Sequence, residues 1–153
     1  MSKPQITFTG VMPIATETFA MTPLSSPSAP RRIASLVTAV NVLVASGFSI
    51  VGLVSPKSIL PAGYSPTEAS FIFAMYAAAR SIPLAVFVLI AIYKRSESAL
   101  LVLGTLAGFI QLLDAAVGLL QHDPGKAIGP LVIAAFQFFA VYLLNRSARS
   151  SVE

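Results

Sequence analysis

The chain has 153 residues, of which 56% are hydrophobic and 10% charged, with a formal net charge of +4. Soluble domains carry about 25% charged residues, so the polar surface is too small for a water-soluble protein and the composition indicates an integral membrane protein. The basic residues form no stripe of the kind that marks a nucleic-acid binder, and with no cysteine there are no disulfides, thiolate chemistry or cysteine-held metal sites.

Residues 1–30, MSKPQITFTGVMPIATETFAMTPLSSPSAP, are rich in Pro, Ser and Thr without sustained periodicity, and read as a disordered cytoplasmic tail. Pro13 and Glu17 break the apolar core that a signal peptide would need. The first predicted span covers 33–54, preceded by Arg31 and Arg32 and stopped by Pro56. Its length, about 22 residues, suits a ~30 Å hydrocarbon core.

SPTE announces the second span, with Ser65 as N-cap, Pro66 at the first helical position and Glu68 closing a capping box. This span, 68–93, would be ~39 Å long, so tilt or a kink at Pro83 is expected. KRSES turns the chain into the third span, 99–120, which QHDPG ends. The fourth span, 127–144, is the shortest, with Pro130 in its first turn, and 147–153 forms a second cytoplasmic tail.

The expected fold is all-α: an integral membrane four-helix up-down-up-down bundle over 31–146, with the disordered N-terminal tail outside it. Arg31, Arg32, Lys94, Arg95, Arg146 and Arg149 share one side of the membrane, against Lys57 and Lys126 on the other. This asymmetry sets both termini in the cytoplasm.

Arg80 is the cation inside the second span. Lying ~16 Å from Ala69, it is too deep to snorkel easily to the outer headgroups. An intramembrane charge costs about 2.5–3.5 kcal/mol on insertion scales, so a partner is the favoured solution. The antiparallel third span places Gln111 near the same depth and Asp114 one turn further out, with side chains of the two helices leaning toward each other. An Arg80–Asp114 pair is therefore expected, with Tyr76 on the Arg80 face at i−4 and Gln137 of the fourth span near the same level. Asn41, Ser46 and Ser49 read as ordinary interhelical contacts of the first span. Gly104 and Gly108 form GTLAG and, with Gly118, make a small-residue face for close packing; Ala74, Ala78, Ser81 and Ala85 of the second span would suit it. Phe136, Phe138, Phe139 and Tyr142 face lipid or fill the core.

The single histidine, His122, lies in the QHDPG turn and reads as a loop residue, since a metal site needs several donors. No catalytic motif or nucleotide-cradling glycine loop can be drawn, so neither an enzyme nor a cofactor is expected.

The runs YAAARSIPLAVFVLIAIYKR and GTLAGFIQLLDAAVGLL resemble bacterial families of small four-helix membrane proteins near the DoxX-like proteins. Those carry an Arg in the second span and an Asp late in the third, the positions of Arg80 and Asp114. The chain departs at Ser81, where an acid is frequent, and at Pro83 and Ala85. The resemblance covers about residues 45–145. It implies a four-helix fold in a bacterial plasma (inner) membrane and no settled activity, although some DoxX-like proteins accompany respiratory or thiol-oxidising complexes. The function expected first is a non-enzymatic accessory or structural membrane component, in contact with the lipid bilayer and with a second copy or another membrane protein as its partner. The alternative is a carrier or binding protein for a small lipophilic molecule, lipid or quinone, or for a proton.

Overall fold

The computed structural model describes residues 28–60 and 63–150. The tail expected over 1–30 lies outside the described residues up to 27, as do 151–153 of the C-terminal tail. Four helices follow one another: α1 Ala29–Val54, α2 Glu68–Tyr93, α3 Glu97–Leu120 and α4 Pro124–Arg149. All four are long and apolar enough to cross a membrane. A short 3₁₀ turn, Pro56–Ser58, follows α1.

The helices start where backbone geometry and caps allow, and three start earlier than hydropathy alone suggests. Pro30 sits in the first turn of α1, where its missing N–H costs nothing, so Arg31 and Arg32 lie inside the helix. Ser96 caps α3 through the Ala99 N–H, and Asp123 caps α4 through the Lys126 N–H. Because α4 begins at Pro124 and runs to Arg149, Pro130 is interior to the helix instead of in its first turn, and the helix takes in much of the expected tail. The α2 cap also differs from expectation. Thr67, not Ser65, is the N-cap, and Ser70 completes the capping box in place of Glu68. Pro66 therefore precedes the helix. Arg95 and His122 adopt positive φ, 56° and 54°. Each lies just past a helix end, where Ser96 N–H reaches Ala91 O and Asp123 N–H reaches Gly118 O, closing a Schellman-type C-terminal cap. His122 is thus a turn-forming residue.

The surface and interior are inverted relative to a soluble bundle. Leu36, Phe48, Phe73, Phe87 and Leu113 are exposed, as are Phe136, Phe139 and Tyr142, while ten of the buried apolar side chains are alanines. Lipid tails are as apolar as leucine, so membrane helices associate through close backbone approach and polar contacts instead of hydrophobic burial.

Around the ring of helices, α1 packs on α2, α4 on α3 and α1 on α4, whereas α2 and α3 touch least. At the end of the bundle holding the 94–96 turn all four helices close together. Ala34, Leu100, Ala140 and Leu144 form one cluster there, and Val42, Ala85, Val88 and Ala107 a second above it.

The glycine face of α3 meets α4, not the small strip of α2. A Cβ on Gly104 would lie 2.9 Å from Gln137 Nε2, one on Gly108 2.9 Å from Phe138 Cε1, and one on Gly118 2.5 Å from the Lys126 carbonyl carbon. Phe138 in turn packs edge-on against Phe109, with ring centroids 5.3 Å apart. The strip on α2 faces α1 instead: Ala74 lies beside Gly52 and Ala85 packs with Val42. At Gly118 there is a further reason for the closeness. Pro130 has no N–H, so the Lys126 carbonyl lacks its helical partner, and that carbonyl oxygen is 2.6 Å from where a Gly118 Cβ would stand.

Gly118→Ala should therefore destabilise the chain by about 1–3 kcal/mol, because backbone cannot yield as a side chain can. Gly129→Ala, with nothing within 4 Å of the added Cβ, should be neutral or stabilising by up to about 1 kcal/mol through helix propensity. Thermal unfolding of both variants in mild detergent checks the contrast.

Candidate functional site

Two polar systems occupy the interior. The first is a buried chain of side-chain hydrogen bonds joining three helices. Gln111 Nε2 donates to Asn41 Oδ1 at 2.6 Å, Asn41 Nδ2 to Gln137 Oε1 at 3.1 Å, and Gln137 Nε2 to Thr38 Oγ1 at 2.8 Å. All four residues are buried, Thr38 and Gln137 completely. The glycines of α3 make room for it, since Gly104 lies against both Gln137 and Thr38. A second set ties α1 to α2: the Ser46 hydroxyl donates to the Ser81 carbonyl at 3.1 Å, and the Ser81 hydroxyl to Ser49 Oγ at 2.9 Å.

The second system is a cavity of about 600 Å³ between α2 and α3, within the range of small-molecule pockets. Its walls lie toward the end of the bundle opposite the 94–96 turn: the second halves of α1 and α3, α2 between Ala74 and Leu84, the first half of α4, and Ser58 and Ile59 after α1. Val42 and Leu84 belong both to its lining and to the packed cluster that closes the bundle beneath it. Most of the lining is apolar, including Phe48, Ile59, Ile110 and Val117. The polar exceptions are Arg80 and Ser81 on one wall, Gln111 and Asp114 on the other, and Ser49, Ser58, Gln121 and Lys126 around them.

Arg80 and Asp114 share this cavity but do not form an ion pair. Ion pairs within 4.0 Å join Arg31 to Glu97 at 3.9 Å and Lys126 to Asp123 at 3.4 Å, and none joins Arg80 to Asp114. Both residues are exposed on the bare chain, so the cavity opens outward through the α2–α3 seam. The direct contact expected from their depths does not form because α2 is drawn to α1, by the serine bonds and the small strip, while α3 is drawn to α4. Counting residues from a turn gives level along the helices and not their lateral separation.

Of the other expected members, Gln111 belongs to both systems and Gln137 to the buried chain alone. Tyr76 is 64% exposed and outside the cavity lining. Its i−4 spacing from Arg80 rotates it about 40° around the helix, enough to turn it to the outer surface. Thr38 was missed, although Thr38, Asn41 and Ser49 share one stripe of α1 at helical spacing. The Arg31–Glu97 pair, joining the starts of α1 and α3, was also missed. Arg31 is nearly buried, and its Nε has no hydrogen-bond partner. Among the described residues no three His, Asp or Glu groups gather in a way that could hold a metal ion.

Asn41→Leu strands the amides of Gln111 and Gln137 in the interior and should cost about 1–3 kcal/mol. Arg80→Gln and Asp114→Asn should each change stability by less than about 1 kcal/mol, far below the 3–5 kcal/mol expected from breaking a closed buried pair. Unfolding of the three variants in one detergent separates the two kinds of site. No family model, curated protein or solved structure matches the chain, so the chemistry of the cavity rests on its own lining.

Proposed function

We propose that the protein is a non-enzymatic membrane component that binds a small amphiphile between α2 and α3. The single observation carrying this reading is the cavity of about 600 Å³ that Arg80 and Asp114 both line without pairing with each other. Ionisable residues inside a membrane are rare and usually mark a ligand or ion path. Here an apolar lining with a few convergent polar groups matches the make-up of a ligand site. A purely structural role would be better served by a closed pair. The glycine face that could have recruited a partner helix is covered by α4, so it gives no support to an accessory subunit.

In the same reading the chain sits in a bacterial plasma membrane with both termini cytoplasmic. The gathering of Arg31, Arg32, Lys94, Arg95, Arg146 and Arg149 at one end of the bundle supports that orientation. The cavity then faces the outer leaflet. The kinship with DoxX-like families remains part of this proposal, supported by the Arg in the second span and the Asp late in the third.

Ala77 lines the cavity, and Ala77→Phe should fill part of it. The full chain purified in mild detergent should carry one tightly held amphiphile per chain by native mass spectrometry, and Ala77→Phe should lose at least about tenfold of that occupancy with unfolding unchanged. A bare chain co-purifying in fixed ratio with another membrane protein, indifferent to Ala77→Phe, would return the accessory reading.

A further inference from the structure

The amphiphile can be specified further, on the premise that the cavity of the preceding section is a binding site. We infer that the occupant is a phospholipid whose headgroup carries both a phosphate and a primary ammonium group.

Three features of the cavity select this class. The first is charge complementarity. A fixed cation, Arg80, and an acid, Asp114, stand on opposite walls of one void and are not paired with each other within 4.0 Å. The other charged residue of the lining, Lys126, is held by Asp123 at 3.4 Å. A purely anionic head would satisfy Arg80 but meet repulsion from Asp114. A purely cationic one would do the reverse. A head bearing both charges neutralises each wall.

The second is the closeness of the two charges in level. Counting back from the 94–96 turn, the backbone of Asp114 lies about one helical turn, ~5 Å, nearer the far end of the bundle than that of Arg80, and the two side chains lean toward each other. In an aminophospholipid the phosphate and the ammonium are joined by a two-carbon arm, so one head can set phosphate against Arg80 and ammonium against Asp114. A guanidinium suits phosphate because it can donate two parallel hydrogen bonds. A primary ammonium has N–H groups to donate to a carboxylate and to a Gln or Ser oxygen nearby; a trimethylated one has none.

The third is the route for the tails. The cavity is mostly apolar and opens through the α2–α3 seam, the least packed seam of the ring. Acyl chains can lie along Leu84 and Ile110 and continue outward between the helices into the bilayer. A free, water-soluble phosphoester would leave this apolar lining unused.

The test uses the full chain in mild detergent with equimolar phosphatidylethanolamine, phosphatidylglycerol and phosphatidylcholine of identical acyl chains, read by native mass spectrometry. Phosphatidylethanolamine should be retained about tenfold over each competitor, as one charge-assisted contact is worth at least that. Asp114→Asn should bring the three lipids near parity, and Arg80→Gln should lower retention of all of them. Free phosphorylethanolamine at the same concentration should not displace the bound lipid. Equal or stronger retention of phosphatidylglycerol, a preference unchanged in Asp114→Asn, or displacement by the free phosphoester would each overturn the assignment. Since the competition is read first on the unsubstituted chain, a variant that does not fold leaves the test standing. Retention of some other amphiphile, lost in Ala77→Phe, would sink the headgroup assignment alone; retention of none would sink the cavity reading with it.

Discussion

The buried chain of amides from Gln111 through Asn41 to Gln137 and on to Thr38 decides how this bundle is assembled. It draws α3 and α4 onto the first half of α1. In hydrocarbon no water competes for these groups, so leaving them unmade is the costly alternative. The small residues serve the same end, since Gly104 admits the Gln137 side chain and Gly118 admits backbone of α4. Three helices are thereby fixed. The fourth, α2, is held chiefly by α1, through Ser46, Ser49 and Ser81 and the alanines beside them. Among the described residues nothing comparable draws α2 to α3 above the Val42–Ala107 cluster, and the cavity is what remains.

The two ionisable groups inside the spans border that gap. A charge at membrane depth is tolerated when it pairs, snorkels or lines a cavity, and Arg80 and Asp114 line a cavity. A contact between them would have locked α2 to α3, with desolvation offsetting much of the Coulomb attraction. Held apart on facing walls, they leave a site with a positive and a negative surface inside an apolar envelope. Fold and site are therefore one consequence of where the hydrogen bonds go.

Much of the architecture was legible in the sequence. Hydropathy and Pro56, Tyr93 and the QHDPG turn located all four helices, and the ends that moved did so for local reasons: Pro30 permitted an earlier start, and Ser96 and Asp123 acted as caps. The levels of Arg80, Gln111 and Asp114 along the membrane normal could be counted from the 94–96 turn. What could not be read was rotation and lateral spacing. The GTLAG face and the small strip of α2 are each plain in the sequence, but small residues accept any close neighbour, and these chose α4 and α1 instead of one another. Gln111 and Gln137 were recognised as polar members of the spans, yet only the fold shows Asn41 bridging them. Tyr76 shows the limit of i, i+4 reasoning: the 40° it adds is enough to move a side chain from a cavity to the outer surface.

The separation of the two intramembrane charges is the point on which the account turns. It can be measured in lipid by solid-state NMR, with ¹⁵N-labelled arginine and ¹³Cγ-labelled aspartate. The chain has only two aspartates, and the other, Asp123, is resolved by its loss in Asp123→Asn. Arginine nitrogen and the Asp114 carboxyl carbon should show no dipolar coupling of a direct contact, placing them further apart than the ~4 Å of an ion pair. A strong coupling at contact distance would mean that the seam between α2 and α3 is closed and that no ligand space exists there.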